Sequence, residues 1–262
     1  MSAIILQDEI IHYEVLGRGR PVLFLHDWVG SWRYWIPTMQ AASLSFRAYA
    51  LDLWGFGDTA KNSSHYPLEQ QTSLLAEFLD YMGINKVAIV GHGLGAIVSL
   101  LFASRQPSSV DRIVAVGYPT SDSSINNRIR SSTPIELAEW LLGKSPAAEA
   151  VLMEAPKADT QAIQLSLAGL QSIDLNNLAT RLQNPLLLVH GLSDPIVEAP
   201  DQDQISRLPD NAHLILFEQC GHFPMLDEPS KFNRLLTDFF NLNSDASPRQ
   251  LQLKDEWRRR VR

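Results

Sequence analysis

The 262-residue chain is poor in what several functional classes require. It has one cysteine, Cys220, so an internal disulfide is excluded and nothing argues for an oxidising compartment. Its seven histidines are scattered and form no Cys/His set of zinc-site spacing, so neither a metal nor a cofactor is expected. No apolar run approaches the ~18 residues that mark a membrane span. The opening MSAIILQDEI lacks a basic segment and meets Asp8 and Glu9 early, which argues against a signal peptide and for a cytoplasmic protein. A net charge of −7 argues against broad nucleic-acid binding. What remains is a globular composition, 45% hydrophobic and 19% charged, in a chain long enough for one large α/β domain with an insertion.

Short apolar runs rich in β-branched and aromatic residues fall at 10–16, 21–26, 46–53, 86–91, 112–117, 185–191 and 212–218. From residue 21 onward they are continuous, as expected for parallel strands buried on both faces. The first two, joined by GRGR, read as an antiparallel start. Helical patterns lie between several strands; at 67–83, Leu68, Leu74, Leu75, Phe78, Leu79 and Met82 share a face and Gly83 is the stop. The expectation is a doubly wound, mostly parallel sheet of about eight strands with helices on both faces. The rhythm breaks between 120 and 183, where polar loop and helical pieces replace strands, so a small helical lid is expected there. The core is then 1–119 with 184–243. The tail, 244–262, carries +3 against −10 for the rest of the chain, with Leu253, Trp257 and Val261 at helical spacing. It is expected to form a basic helix that packs on the acidic body or contacts a partner or an anionic membrane surface.

The stretch KVAIVGHGLGAIVSLL reads as strand, glycine-rich turn and helix. Gly91, Gly93 and Ala96 satisfy a G-x-G-x-x-A dinucleotide pattern, but the next strand, RIVAVGYP, offers no acidic residue for a ribose. The same turn satisfies a nucleophile elbow, G-x-S-x-G, with Gly91 and Gly95 flanking and Gly93 in the serine's place. Glycine relieves the strained backbone of such an elbow and surrenders the hydroxyl.

Four further motifs decide for the elbow. FLHDWVGSWRYW resembles the H-G-x-x-G-S oxyanion loop of the α/β-hydrolase fold superfamily, and LDLWGFGDT its D-x-x-G-x-G-x-S loop. LLLVHGLSDPIV resembles the segment carrying its catalytic acid, and QCGHFPMLDEP the one carrying its catalytic histidine. The resemblance spans about 5–242 and lies with the lid-bearing esterases, haloperoxidase-like enzymes and C–C hydrolases. It implies a catalytic set of position 93, Asp194 and His222, with backbone N–H groups of Leu94 and Trp28 as the oxyanion hole. Asp27 departs from the H-G pattern; beside an oxyanion site its carboxylate either repels developing charge or faces solvent. His92 reads mainly as structural, Asp122 as a second position for the acid, and Cys220 as a buried thiol. Trp28, Trp32, Tyr34 and Trp35 are candidates for pocket lining or core.

Two functional classes follow. One is an ester-type hydrolase site that keeps the Asp194–His222 dyad without its serine, acting weakly through water or proton transfer, or a serine hydrolase inactivated by Ser-to-Gly replacement. The other is a non-catalytic, small-molecule-binding pseudo-hydrolase. A small apolar substrate or ligand is expected in either case.

Overall fold

Runs of Val, Ile, Leu and Ala with no polar alternation can be satisfied only between two covering layers, and the sheet is built accordingly. The computed structural model describes residues 2–142, 148–243 and 246–253. Eight strands form one sheet: β1 (Ser2–Leu6), β2 (Glu9–Gly17), β3 (Arg20–Leu25), β4 (Phe46–Leu51), β5 (Val87–His92), β6 (Val110–Val116), β7 (Leu186–Gly191) and β8 (Ala212–Phe217). Their order is β1-β2-β4-β3-β5-β6-β7-β8. β1 with β2 and β2 with β4 pair antiparallel; every other pair is parallel. β1 is not among the strands expected from sequence, and β2 and β3, expected to form the antiparallel start, are not direct neighbours. β4 in fact lies between them, so the antiparallel start is the β1–β2 hairpin.

Among the described residues the helices are α1 (Ile36–Ala42), α2 (Leu68–Tyr81), α3 (Leu94–Arg105), α4 (Arg128–Ser131), α5 (Pro134–Leu142) and α6 (Glu149–Glu154). They continue with α7 (Thr160–Gly169), α8 (Leu175–Thr180), α9 (Gln202–Ser206), α10 (Pro224–Asp227) and α11 (Pro229–Phe240). α3 is buried from Leu94 through Ala103, which suits a helix held between the sheet and further helices. α11 shows the opposite pattern, one apolar stripe of Phe232, Leu235, Leu236, Phe239 and Phe240 turned to the core. α4 to α8 form a helical insertion between β6 and β7, where the strand rhythm stops.

The described part of the tail is a 3-10 turn at Pro248–Gln250, after which Leu251 is buried and its carbonyl lies 3.2 Å from His213 Nε2. Trp257 and Val261 of the expected tail helix lie outside the described residues. No helix among the described residues is long and apolar enough to cross a membrane.

Candidate active site

Three loops at the carboxyl ends of the strands meet around Gly93, which bridges β5 and α3 with φ +47° and ψ −106°. This backbone lies where a side chain is strained, and glycine alone enters freely. The flanking glycines are needed for approach. A Cβ at Gly91 would stand 2.4 Å from the Gly95 carbonyl oxygen, and one at Gly95 would stand 2.5 Å from that of Leu25. Gly93 N–H donates to Val116 O at 2.9 Å, and Gly93 O accepts from Ile97, so strand, turn and helix are continuous.

Asp194 follows β7 in a tight turn. Its Oδ1 accepts from the N–H groups of Ile196 (2.8 Å) and Val197 (3.2 Å), which fixes the carboxylate. Its Oδ2 lies 2.8 Å from His222 Nδ1. His222 sits after β8, in a loop held by Gly221 N–H donating to Asp227 Oδ2 at 2.9 Å. Asp194 and His222 are thus brought together, carboxylate to ring. Asp122 does not join them; it is ion-paired to Arg130 in the insertion. Cys220 is buried, and burial pushes its thiol up to about 12, a neutral packing group.

Asp27 is the unexpected member. It neither faces solvent nor stands aside: it has no solvent exposure, and its carboxylate enters the space that a side chain at 93 would fill. A Cβ built on Gly93 would meet Asp27 Oδ1 at 1.7 Å. Oδ1 accepts from Leu94 N–H at 3.1 Å, and Oδ2 lies 3.0 Å from His222 Nε2 and accepts weakly from Val29 N–H at 3.4 Å. The Trp28 N–H also acts on this carboxylate. The two backbone donors expected to face a substrate oxyanion are thus turned on Asp27. The pair of departures, Asp at 27 and Gly at 93, was visible in the sequence; that they compensate each other in space was not.

The loop carrying Asp27 is fixed from both sides. His26 Nδ1–H donates to Asp27 O at 2.7 Å, while its Nε2 accepts from Leu53 N–H at 3.0 Å, so the ring is neutral. Asp27 N–H donates to Tyr34 Oη at 2.8 Å, which leaves the Tyr34 hydroxyl to donate to His92 Nδ1 at 3.1 Å. Burial lowers His92 to about 3, and it is neutral, its ring tilted 41° to that of His222 with centroids 4.5 Å apart. Its role is support, through Tyr34, of the Asp27 backbone. Of the aromatic candidates, Trp28 is buried with Nε1 donating to Ser166 Oγ of α7 at 2.9 Å, which ties this loop to the insertion. Trp35 packs in the core against Phe24 and Tyr34, and Trp32 against His12.

The electrostatics are those of a buried triplet of alternating sign. Burial alone would lower His222, but the Asp194 and Asp27 carboxylates on its two ring nitrogens overcome this and hold it at about 10. Burial likewise favours neutral carboxyls, yet the facing imidazolium keeps both Asp27 and Asp194 below the usual carboxylate range. His222 is therefore an imidazolium at neutral pH, and it becomes a base only once one neighbouring charge is removed. Asp27, His92 and His222 each offer one atom within 4.8 Å of the others, a loose set already satisfied by hydrogen bonds at Asp27 and His222.

Comparison with known proteins agrees with this architecture. The chain is 26% identical over 261 residues to pimeloyl-[acyl-carrier protein] methyl ester esterase of Nitrosomonas europaea, covering 85% of this chain and 96% of that one. It is 27% identical over 256 residues to 2-hydroxy-6-oxo-2,4-heptadienoate hydrolase of Pseudomonas putida, covering 86% and 90%. Among solved structures, a meta-cleavage product hydrolase from Pseudomonas fluorescens superposes with TM-score 0.78 at 25% identity, over 92% of this chain and 97% of that one. A hydrolase from Pseudomonas aeruginosa reaches TM-score 0.80 at 20% identity, over 92% and 98%, a likeness of fold. The profile of the alpha/beta hydrolase family matches residues 22–235, and the chain belongs to that family.

Proposed function

We propose that this protein is a hydrolase of small apolar substrates whose reacting group is the carboxylate of Asp27, supported by His222 and Asp194, with no acyl-serine at position 93. The observation that carries this reading is the substitution in space: Asp27 Oδ1 stands 1.7 Å from where a residue-93 Cβ would be, and Oδ2 lies 3.0 Å from His222 Nε2. A buried array of three charges costs stability that well-packed apolar residues would not, so its presence where three loops meet favours a chemical role. The relatives named above are a methyl ester esterase and a heptadienoate hydrolase, which supports hydrolysis as the reaction class.

One observation favours a second reading. Asp27 has no solvent exposure and His222 almost none, and the Leu94 N–H is already taken, as in a hydrolase fold converted to ligand binding. Steady-state hydrolysis of a panel of small esters and epoxides separates the two. A hydrolase loses about 10²–10⁴-fold in kcat when Asp27→Asn or His222→Gln is introduced. Turnover untouched by Asp27→Asn contradicts the assignment; a panel bound tightly but never turned over supports the binding reading.

A further inference from the structure

A groove of about 400 Å³ opens between α6 of the insertion and α10, and Ile36, Met153, Met225 and Leu226 give it an apolar lining. Neither Asp27, Asp194 nor His222 lines it, so it is not where the buried triplet would meet a substrate. On its inner side stands Tyr34, whose hydroxyl is already engaged by the Asp27 N–H at 2.8 Å and by His92 Nδ1 at 3.1 Å. A guest here therefore occupies a second site, which stands whether or not Asp27 reacts. Met225 is fully buried, while Met153 on α6 is 58% exposed. Methionine chains are unbranched and adapt to what they pack against, which suits a flexible aliphatic guest. The volume is at the lower end for small-molecule sites, about 300–1,000 Å³.

Two residues of opposite charge, Arg33 and Glu149, also line the groove. Arg33 Nε donates to the buried Glu154 carboxylate at 2.7 Å, and its Nη groups donate to no described residue. Glu149 makes no ion pair among the described residues. Glu149 opens α6 and Arg33 is bound to its last residue, so the two stand about 7–8 Å apart along the helix axis. Two long side chains can meet one small polar group across that span. A guest carboxylate would be repelled by Glu149 and would find an arginine whose charge Glu154 already offsets. A guest ammonium would be repelled by Arg33. Either ion would give up water beside an apolar lining without a free counter-charge. A hydroxyl brings no charge, accepts from an Arg33 Nη–H and donates to the Glu149 carboxylate.

We propose that the groove binds a neutral amphiphile, an unbranched primary alcohol of about eight carbons. Its chain lies along Ile36, Met153, Met225 and Leu226, and its hydroxyl is shared by Arg33 and Glu149.

The test is calorimetric titration of the full chain with 1-hexanol, 1-octanol, octanoate and octylamine, together with carbon-13 NMR of the methionine methyls. Each methylene buried is worth about fourfold in affinity, so octanol should bind about 16-fold tighter than hexanol. It should also bind more tightly than octanoate or octylamine. The Met153 and Met225 methyls should shift on titration, while that of Met39, sealed in the core, stays in place. Met153→Asp, a change at an exposed position checked by circular dichroism, should weaken octanol about tenfold or more. Glu149→Gln should bring octanoate closer to octanol. Octanoate or octylamine bound as tightly as octanol overturns the neutral headgroup. Equal affinity for hexanol and octanol overturns the alkyl chain. Octanol that fails to bind, or that binds while the Met153 and Met225 methyls stay unmoved, overturns the site.

Discussion

Restoring a serine at position 93 should damage this protein unless Asp27 is removed with it. In Gly93→Ser the new Cβ would stand 1.7 Å from Asp27 Oδ1, a separation that no rotamer relieves because Asp27 is enclosed on all sides. The carboxylate must leave its seat, which separates it from His222 and from Leu94 N–H. Breaking a buried ion pair costs about 3–5 kcal/mol, and a side chain at φ +47° adds about 1–3 kcal/mol. The single variant should therefore lose about 4–8 kcal/mol, much of the stability of an ordinary domain. Asp27→Gly alone loses the pair but not the backbone freedom. The double variant has no clash, so it should be no worse than Gly93→Ser alone, with an interaction energy of about −3 to −5 kcal/mol. Urea denaturation followed by tryptophan fluorescence measures all four corners of the cycle. Activated-ester turnover gives a second readout: the double variant should exceed the parent by about 10²–10³-fold, the worth of a freed oxyanion donor, while Gly93→Ser alone gains nothing. If Gly93→Ser alone is as stable as the parent and gains esterase activity, Asp27 does not occupy the site.

Stability should peak near pH 6.5. His222, raised to about 10, contributes stability that is complete below 6.5 and lost as pH rises through about 10. His92, lowered to about 3, and His190, lowered to about 4, are buried neutral, so unfolding takes up their protons below 6.5 and stability falls on that side. Each proton is worth about 1.4 kcal/mol per pH unit, so the acid limb should be the steeper one; a melting temperature flat between the two limbs contradicts these shifts. Tyr34→Phe leaves the Asp27 N–H and His92 Nδ1 without the hydroxyl they share, at a cost of about 2–4 kcal/mol by chemical denaturation; an unchanged midpoint argues against the chain of bonds. Glu154 is 1% exposed and binds Ser31 Oγ, Arg33 Nε and Lys157 Nζ, clamping α6 to the loop after β3. Glu154→Ala should cost about 1–3 kcal/mol and speed amide exchange in residues 31–35 and 149–157, whereas exchange unchanged in both segments argues against the clamp.

The parallel strands were legible because burial on both faces writes an unbroken apolar run, and β5 to β8 lie where those runs stand. β1 was not, since the short MSAIIL segment has too little pattern to mark a strand by itself. Pairing was less legible than existence: β2 and β3 are adjacent in sequence, but β4 inserts between them, a choice made by the crossover and not by local residues. In the site, Asp194 and His222 could be placed because each lies in a turn with its own sequence signature, and the 2.8 Å contact follows. Asp27 could be singled out but not aimed. Its direction depends on its chain neighbours His26 and Tyr34 and also on His222 and the space vacated at Gly93, which are distant in sequence and meet it only in the folded chain. Trp32 and Trp35 show the same limit, for nothing in WRYW distinguishes the rings that turn to the core from the one that reaches Asp27.

A carboxylate from the loop after β3 takes the place of a side chain at position 93 and holds His222 as an imidazolium. Nitrogen-15 NMR titration of the His222 ring tests it most directly. The ring should stay doubly protonated through mildly alkaline pH and lose its proton near 10 in the parent, with the midpoint falling sharply in Asp27→Asn. A His222 that titrates near its ordinary 6.5 in both proteins would contradict the account.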